Sequence, residues 1–108
     1  MKDNLFFQSN PMIIKIPSPQ KILIIYNPIS SAGNTEAIAC KLEMELSLHG
    51  KTVEVRTSEK KMKGYTFIAD EISASDLVVV VGGDGTIRKL LDIINKTSTP
   101  MYAIPGGN

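Results

Sequence analysis

Residues 21–26 read KILIIY, a short run of apolar and β-branched residues closed by Asn27-Pro28. A run without alternation is the mark of a strand buried on both faces. Residues 77–81, LVVVV, are a stronger example and suit a central parallel strand. Between them TVEVR, at 52–56, alternates and predicts a strand nearer a sheet edge. Helical periodicity fills the intervals. Over 35–49, Ile38, Ala39, Leu42 and Leu46 form one stripe with Glu36, Glu43 and Ser47 opposite, and Gly50 stands where a terminating glycine is expected. A weaker helix is predicted over 65–72. Ile87, Leu90, Leu91 and Ile94 fall at i, i+3, i+4 and i+7, which predicts a helix with one core face and with Arg88, Lys89 and Asp92 outside. After Pro100, residues 101–104 (MYAI) predict a last short strand.

The resulting order, β-α-β-α-β-α-β, predicts a three-layer α/β/α domain of Rossmann-like type, with a mostly parallel sheet and right-handed crossovers. Residues 1–18 are set apart from it as a leader, disordered or vector-derived. Pro11 and Pro17 punctuate that stretch and Pro19 directly follows it, and its DNLFFQS resembles the protease-cleavable linker ENLYFQS of expression vectors. The domain proper is expected over 19–108.

Composition narrows the class. A chain of 108 residues supports one small domain, and 43% hydrophobic with 21% charged residues is ordinary for a soluble globular protein. A net charge of +1 gives no global field for nucleic acid or a membrane surface. The single cysteine, Cys40, excludes an internal disulfide framework and fits a reducing, cytoplasmic setting. No apolar run approaches the roughly 20 residues that cross a bilayer.

Three loops of unusual composition follow three of the predicted strands: NPISSAGN at 27–34, GGDGT at 82–86 and PGGN at 105–108. Parallel strands end on one edge, where ligands of such sheets gather, so the loops are expected to converge. Each suits phosphate: glycines let backbone N–H groups approach an anion, and a following helix N-terminus adds partial positive charge. Ser30, Ser31, Thr35 and Thr86 offer hydroxyl donors. Asp84 repels phosphate, and two readings of it stay open: a helix cap, or a partner for Mg²⁺ or a hydroxyl. Neither G-x-x-x-x-G-K-[ST] nor G-x-G-x-x-G is present, since Arg88 stands at the third glycine position.

A strand followed by N-P-x-S, then VVVGGDGT about fifty residues on, then I-P-x-G, resembles the diacylglycerol kinase catalytic domain family, which includes bacterial lipid kinases and sphingosine kinases. NAD kinases and phosphofructokinases are more distant. The resemblance covers 21–108 and implies the nucleotide-binding part of an ATP- and Mg²⁺-dependent lipid kinase. It implies that Asn27, Pro28, Ser30, Ser31, Thr57, Gly82, Gly83, Asp84, Gly85, Thr86, Gly106 and Gly107 bind ATP, with Asp84 toward Mg²⁺. Phosphate transfer in such a site rests on positioning and charge neutralisation. The family's second, β-rich domain, with its lipid site and base, is expected beyond Asn108, which leaves Asp84 as the candidate catalytic group inside the chain. A peripheral membrane association and a homodimer are compatible with this reading. The alternatives are an NAD-kinase-like fragment and a non-catalytic nucleotide-binding or assembly module. Four positions depart from the pattern: Ser31 replaces the usual glycine, Arg88 and Lys89 replace Asn-Glu, and Asn108 replaces threonine. Two cations early in a helix oppose its dipole, and pairing with Asp92 is the simpler account of them.

Remaining polar and aromatic residues have simpler expectations. His49 should interact with terminal carbonyls of its helix, Cys40 should pack inertly, and Lys60, Lys61 and Lys63 should be solvated. Tyr65, Phe67 and Tyr102 are expected in the core.

Overall fold

The structure, a computed structural model, describes residues 4–7, 14–29, 34–58 and 66–105. Its elements are β1 (Asn4–Phe7), β2 (Ile14–Pro17), β3 (Lys21–Tyr26), α1 (Thr35–Leu48), β4 (Thr52–Thr57), α2 (Thr66–Ser73), β5 (Leu77–Gly82), α3 (Asp84–Ile94) and β6 (Met101–Pro105). From Lys21 onward the order is the predicted one. Within the stretch set apart as a leader, β1 and β2 form an antiparallel pair in which Pro17 lies opposite Asn4. A proline at the end of a strand needs no ladder donor, so Pro17 does not prevent the pairing.

The main sheet has the order β4-β3-β5-β6, and all its neighbours are parallel. β3 is bonded on both sides, and β5 runs between β3 and β6, which explains their unbroken apolar sequences. Side chains alternate between two apolar layers. Leu23, Ile25, Val78 and Val80 pack with Ile72 of α2 and with Leu90 and Ile94 of α3. Ile22, Ile24, Val79 and Val81 pack with Ala39 and with half-buried Ile38, Leu42 and Leu46 of α1. The sheet is therefore sandwiched, as the three-layer expectation requires. Each fully buried Ile, Leu or Val contributes about 1.5–3 kcal/mol relative to exposure.

This topology fixes where a ligand can sit. The chain leaves β3 through α1 to β4 on one side, then returns across β3 to β5 on the other. The direction of progression reverses between β3 and β5, so the crevice outside their carboxyl ends is the switch point of the sheet.

Local chemistry ends the elements where the sequence predicts. Gly50 adopts φ +80°, a region open to glycine at little cost. Its N–H donates to the Ser47 carbonyl at 3.0 Å and that of Lys51 to Leu46 at 3.1 Å, a Schellman closure of α1. His49 Nδ1 lies 2.9 Å from the Glu45 carbonyl oxygen, the terminal contact expected of it. At the amino edge of the sheet, the Asp76 carboxylate accepts the N–H groups of Gln20 at 3.0 Å and Lys21 at 2.9 Å. These backbone bonds, Lys21 first and then Gln20, hold its carboxyl below the ordinary 3.8.

Several expectations are corrected. Tyr102 is 63% exposed rather than in the core. It stands in register with Val79, on the α1 side of the sheet, but α1 packs over β4, β3 and β5 and does not extend over β6 at Tyr102. Leu91 is exposed, and half-buried Ile93 takes its place beside the predicted Ile87, Leu90 and Ile94 on the core face of α3. Cys40 is exposed, because the stripe that turns Ala39 inward turns its neighbour out. Tyr65, the lysine cluster and the Phe67 side chain lie outside the described residues.

Candidate functional site at the carboxyl edge of the sheet

Tyr26 stands opposite both Thr57 and Val81, and Gly82 stands opposite Pro105. The chain segments that follow these strands therefore leave from one edge, as expected from the sequence. Asn27 binds two of them together. Its backbone N–H donates to the Val81 carbonyl at 3.1 Å. Its side-chain Nδ2 donates to Thr86 Oγ1 at 2.9 Å, and its Oδ1 accepts the Ile29 N–H at 3.0 Å. The Thr35 hydroxyl donates to the Asn27 carbonyl. Asparagine suits this position because one short side chain must close an Asx turn as acceptor and reach Thr86 as donor.

These bonds revise two assignments. Thr35 is buried with its proton directed at Asn27, so its hydroxyl is not an available phosphate donor. Asn27 acts on the loop geometry through its side chain. Thr86 is half-buried and accepts from Asn27, and its own O–H remains a donor. Pro28 and Ile29 are exposed beside them. Thr57 is the last residue of β4 rather than part of the loop after it, and is half-buried. Ser30, Ser31, Gly33, Gly106, Gly107 and Asn108 lie outside the described residues.

The GGDGT glycines divide into two kinds. Gly82 is buried, and a Cβ there would stand 3.2 Å from Thr86 Cβ and 3.3 Å from its Cγ2. Packing of α3 onto β5 thus requires it. Gly83 and Gly85 are exposed, and a Cβ at either would meet nothing within 4 Å among the described residues. Gly83 has φ −85° and ψ −177°, extended backbone open to any residue. Neither conformation nor packing asks for glycine at these two positions.

Gly83 is also the N-cap of α3, with no side-chain cap bond, and Asp84 is the first helical residue. The reading of Asp84 as the helix cap is therefore set aside. The first helical bond runs from the Ile87 N–H to the Gly83 carbonyl at 3.0 Å. The N–H groups of Asp84, Gly85 and Thr86 precede it at the helix end, and no side chain among the described residues receives them. Asp84 is exposed, in the first turn, where a carboxylate is favoured by the helix dipole. Among the described residues, neither Arg88 nor Lys89 pairs with Asp92, so that account of them does not hold.

Two further groups border this edge. Burial, with Glu36 and then Cys40 nearby, pushes the Tyr26 hydroxyl above its ordinary 10.0, so it stays neutral in the physiological range. Ser58, directly after β4, is buried and was not singled out by its sequence, in which it opens a run of charges. A separate cleft of about 310 Å³ lies between α2 and the β3–β4 side of the sheet. There Arg56 meets Glu71 at 3.0 Å and Glu54 at 2.9 Å, and no residue of the strand-end loops lines it.

Residues 21–108 match the sequence profile of the diacylglycerol kinase catalytic domain. The chain is 33% identical over 92 residues to a Streptococcus pneumoniae protein named "Putative lipid kinase", covering 82% of this chain and 31% of that protein. A solved diacylglycerol kinase structure from Bacillus anthracis superposes with a TM-score of 0.67 at 23% identity, over 82% of this chain and 34% of the other. The chain thus spans about a third of the length of these relatives.

Proposed function

The chain belongs to the diacylglycerol kinase catalytic domain family, and from that premise we propose that its carboxyl sheet edge binds ATP with Mg²⁺ as the nucleotide-holding part of a lipid kinase. The acceptor in this reading is a diacylglycerol-like lipid hydroxyl. Residues 19–108 form the nucleotide-binding subdomain, and the acceptor site and general base belong to the remainder of a longer, two-domain kinase.

One observation carries the proposal. Among the described residues, the N-terminus of α3 opens at the switch point of the sheet with a glycine cap, N–H groups that no side chain receives, and room above Gly83 and Gly85. Serine or aspartate at the cap would fit without a clash among the described residues and would satisfy one of those donors. Leaving them bare costs the fold a little and creates an anion cradle. The phosphates would receive the N–H groups of Asp84, Gly85 and Thr86 and the Thr86 hydroxyl. The Asn27 bridge would keep the two loops in register.

Mg²⁺ binds through one or two carboxylates together with substrate phosphates and water, so a single exposed carboxylate beside the cradle fits that ion. Asp84 would hold it, and the ion would neutralise charge developing on the transferred phosphoryl group. The side chain of Asp84 is free for that role because it caps nothing. Gly106 and Gly107 are proposed to close the cradle from the β6 side, and Ser30, Ser31 and Thr57 from the β3–β4 side. Among the described residues no helix is long and apolar enough to cross a membrane. The proposed setting is cytoplasmic, with the lipid met at a membrane surface.

Thermal unfolding of the chain with and without millimolar ATP–Mg²⁺ tests the reading. Binding at a hundredfold excess over Kd adds about 2.7 kcal/mol and raises Tm accordingly. An unchanged Tm, with AMP and ATP indistinguishable, would refute it.

A further inference from the structure

Among the described residues β4 has a neighbouring strand on one side only, so its other side is a sheet edge. Its pairing with β3 runs residue for residue from Thr52 to Thr57 without a bulge, and it contains neither proline nor glycine. Proteins blunt such edges with those interruptions or with charge. β4 carries charge alone: Glu54 and Arg56, opposite in sign and two residues apart. Within the single chain Arg56 is shared between two carboxylates, Glu54 at 2.9 Å and Glu71 at 3.0 Å, and all three side chains are partly solvated.

The ladder fixes which backbone groups the edge presents. The Thr52 N–H donates to the Gln20 carbonyl at 2.9 Å and that of Ser58 to Tyr26 at 2.8 Å, so the even-numbered positions of β4 bond toward β3. The N–H and C=O groups of Val53 and Val55 therefore point to the open side. An antiparallel copy of the strand must set odd positions against odd, which restricts a two-fold axis to single residues. An axis at Glu54 opposes that residue to itself, and one at Arg56 does the same for the guanidinium; both are like-charged. An axis at Val55 opposes Glu54 of each copy to Arg56 of the other, twice. Axes at the strand ends shorten the overlap within β4 and pair neither charge.

We propose that the β4 edge is an interface with a second copy of this chain, in which two β4 strands pair antiparallel about a two-fold axis at Val55 and the two four-stranded sheets join into one. Glu54 and Arg56 then face each other in a pair without backbone bonds, where opposed side chains come closest. Each Arg56 bridges its own Glu71 and the other copy's Glu54. The axis is perpendicular to the sheet, so each helical layer meets its own copy. α1 lies mostly over β4 and β3, about one strand spacing from the axis, which sets the two α1 helices roughly 10 Å apart, an ordinary packing distance. The paired strands run in opposite directions, so the two carboxyl edges face away from each other and both stay open.

Sedimentation of the whole chain over a concentration series, with amide hydrogen exchange on the same samples, tests the proposal. The mass should rise to twice that of the chain. The Val53 and Val55 amides should become protected only as the dimer forms, while those of Glu54 and Arg56 are protected at every concentration. Glu54→Arg and Arg56→Glu each set like charges against each other at both crossing points and should weaken self-association roughly 10- to 100-fold. Mixed in equal amounts, the two variants become complementary and should form a one-to-one heterodimer, a result that a purely intrachain role of either residue would not produce. A chain that stays monomeric overturns the proposal, as does a dimer whose Val53 and Val55 amides exchange as in the monomer. So do single variants that dimerise like the wild type, or folded variants that stay apart when mixed. Should either variant fail to fold, exchange on the wild-type chain decides the matter by itself.

Discussion

Alanine substitution at the three GGDGT glycines separates what the fold requires from what a ligand requires. At Gly82 the added Cβ would lie 3.2 Å from Thr86 Cβ and 3.3 Å from its Cγ2, so α3 would have to give by a few tenths of an ångström. Overpacking of this kind costs about 1–3 kcal/mol. Displacing Thr86 also strains its 2.9 Å bond from Asn27. Gly82→Ala should therefore lower Tm by roughly 5–15 °C at this domain size. At Gly85, in the first turn of α3, the Cβ meets nothing and alanine is the better helix former. The free protein should gain about 0.5–1 kcal/mol. At Gly83 the poorer cap and the reduced unfolded-state entropy nearly cancel, leaving stability within about 0.5 kcal/mol. Both variants nonetheless place a methyl group where phosphate oxygens should approach. Loss of one charge-assisted bond at about 1.5–3 kcal/mol predicts ATP binding weaker by roughly 10- to 100-fold. Differential scanning fluorimetry and isothermal titration calorimetry on the same samples provide the two readouts. Gly85→Ala and Gly83→Ala with undiminished ATP affinity would refute the view that these glycines serve a ligand.

Asn27→Ala removes two side-chain bonds, to Thr86 and to the Ile29 N–H, and should cost about 1–3 kcal/mol by chemical denaturation. Asn27→Asp keeps the turn acceptor and lets the Thr86 hydroxyl donate instead, so stability should be closer to wild type than in the alanine variant. Asp76 is held below its ordinary 3.8 by the backbone N–H groups of Lys21 and Gln20, so the unfolded chain binds more protons as pH falls past that value. Its stabilising contribution is complete above 3.8 and is lost as pH drops through the lower folded value; Asp76→Asn should flatten that part of the acid-unfolding curve. Arg56→Ala should cost only about 0.5–1 kcal/mol in thermal unfolding, because its pairs with Glu71 and Glu54 are partly solvated.

The sheet was legible because buried parallel strands leave unbroken apolar runs, and KILIIY and LVVVV are both of that kind. Gly50 was legible because a positive φ after a helix has few other occupants. Exposure at the sheet margin was not. Tyr102 lies in an apolar strand, and only the reach of α1 across the sheet decides that it faces out. Asp84 stayed open between cap and ligand because cap and first helical residue differ by one position, a difference that spacing does not resolve. The division of the glycines depends on where Thr86 returns against β5, a contact made by packing of α3 rather than by local pattern. Ser58 left no signal at all, since nothing in its local pattern marks its N–H for pairing with the end of β3.

The central claim is that ATP phosphates sit on the bare N-terminus of α3. Titrating ATP–Mg²⁺ into the isotope-labelled chain while following backbone amide resonances tests it directly. The account predicts saturable shifts largest at Gly83, Asp84, Gly85 and Thr86, which inorganic tripolyphosphate reproduces. Shifts elsewhere with these four unmoved, or no saturable shift at all, would contradict it.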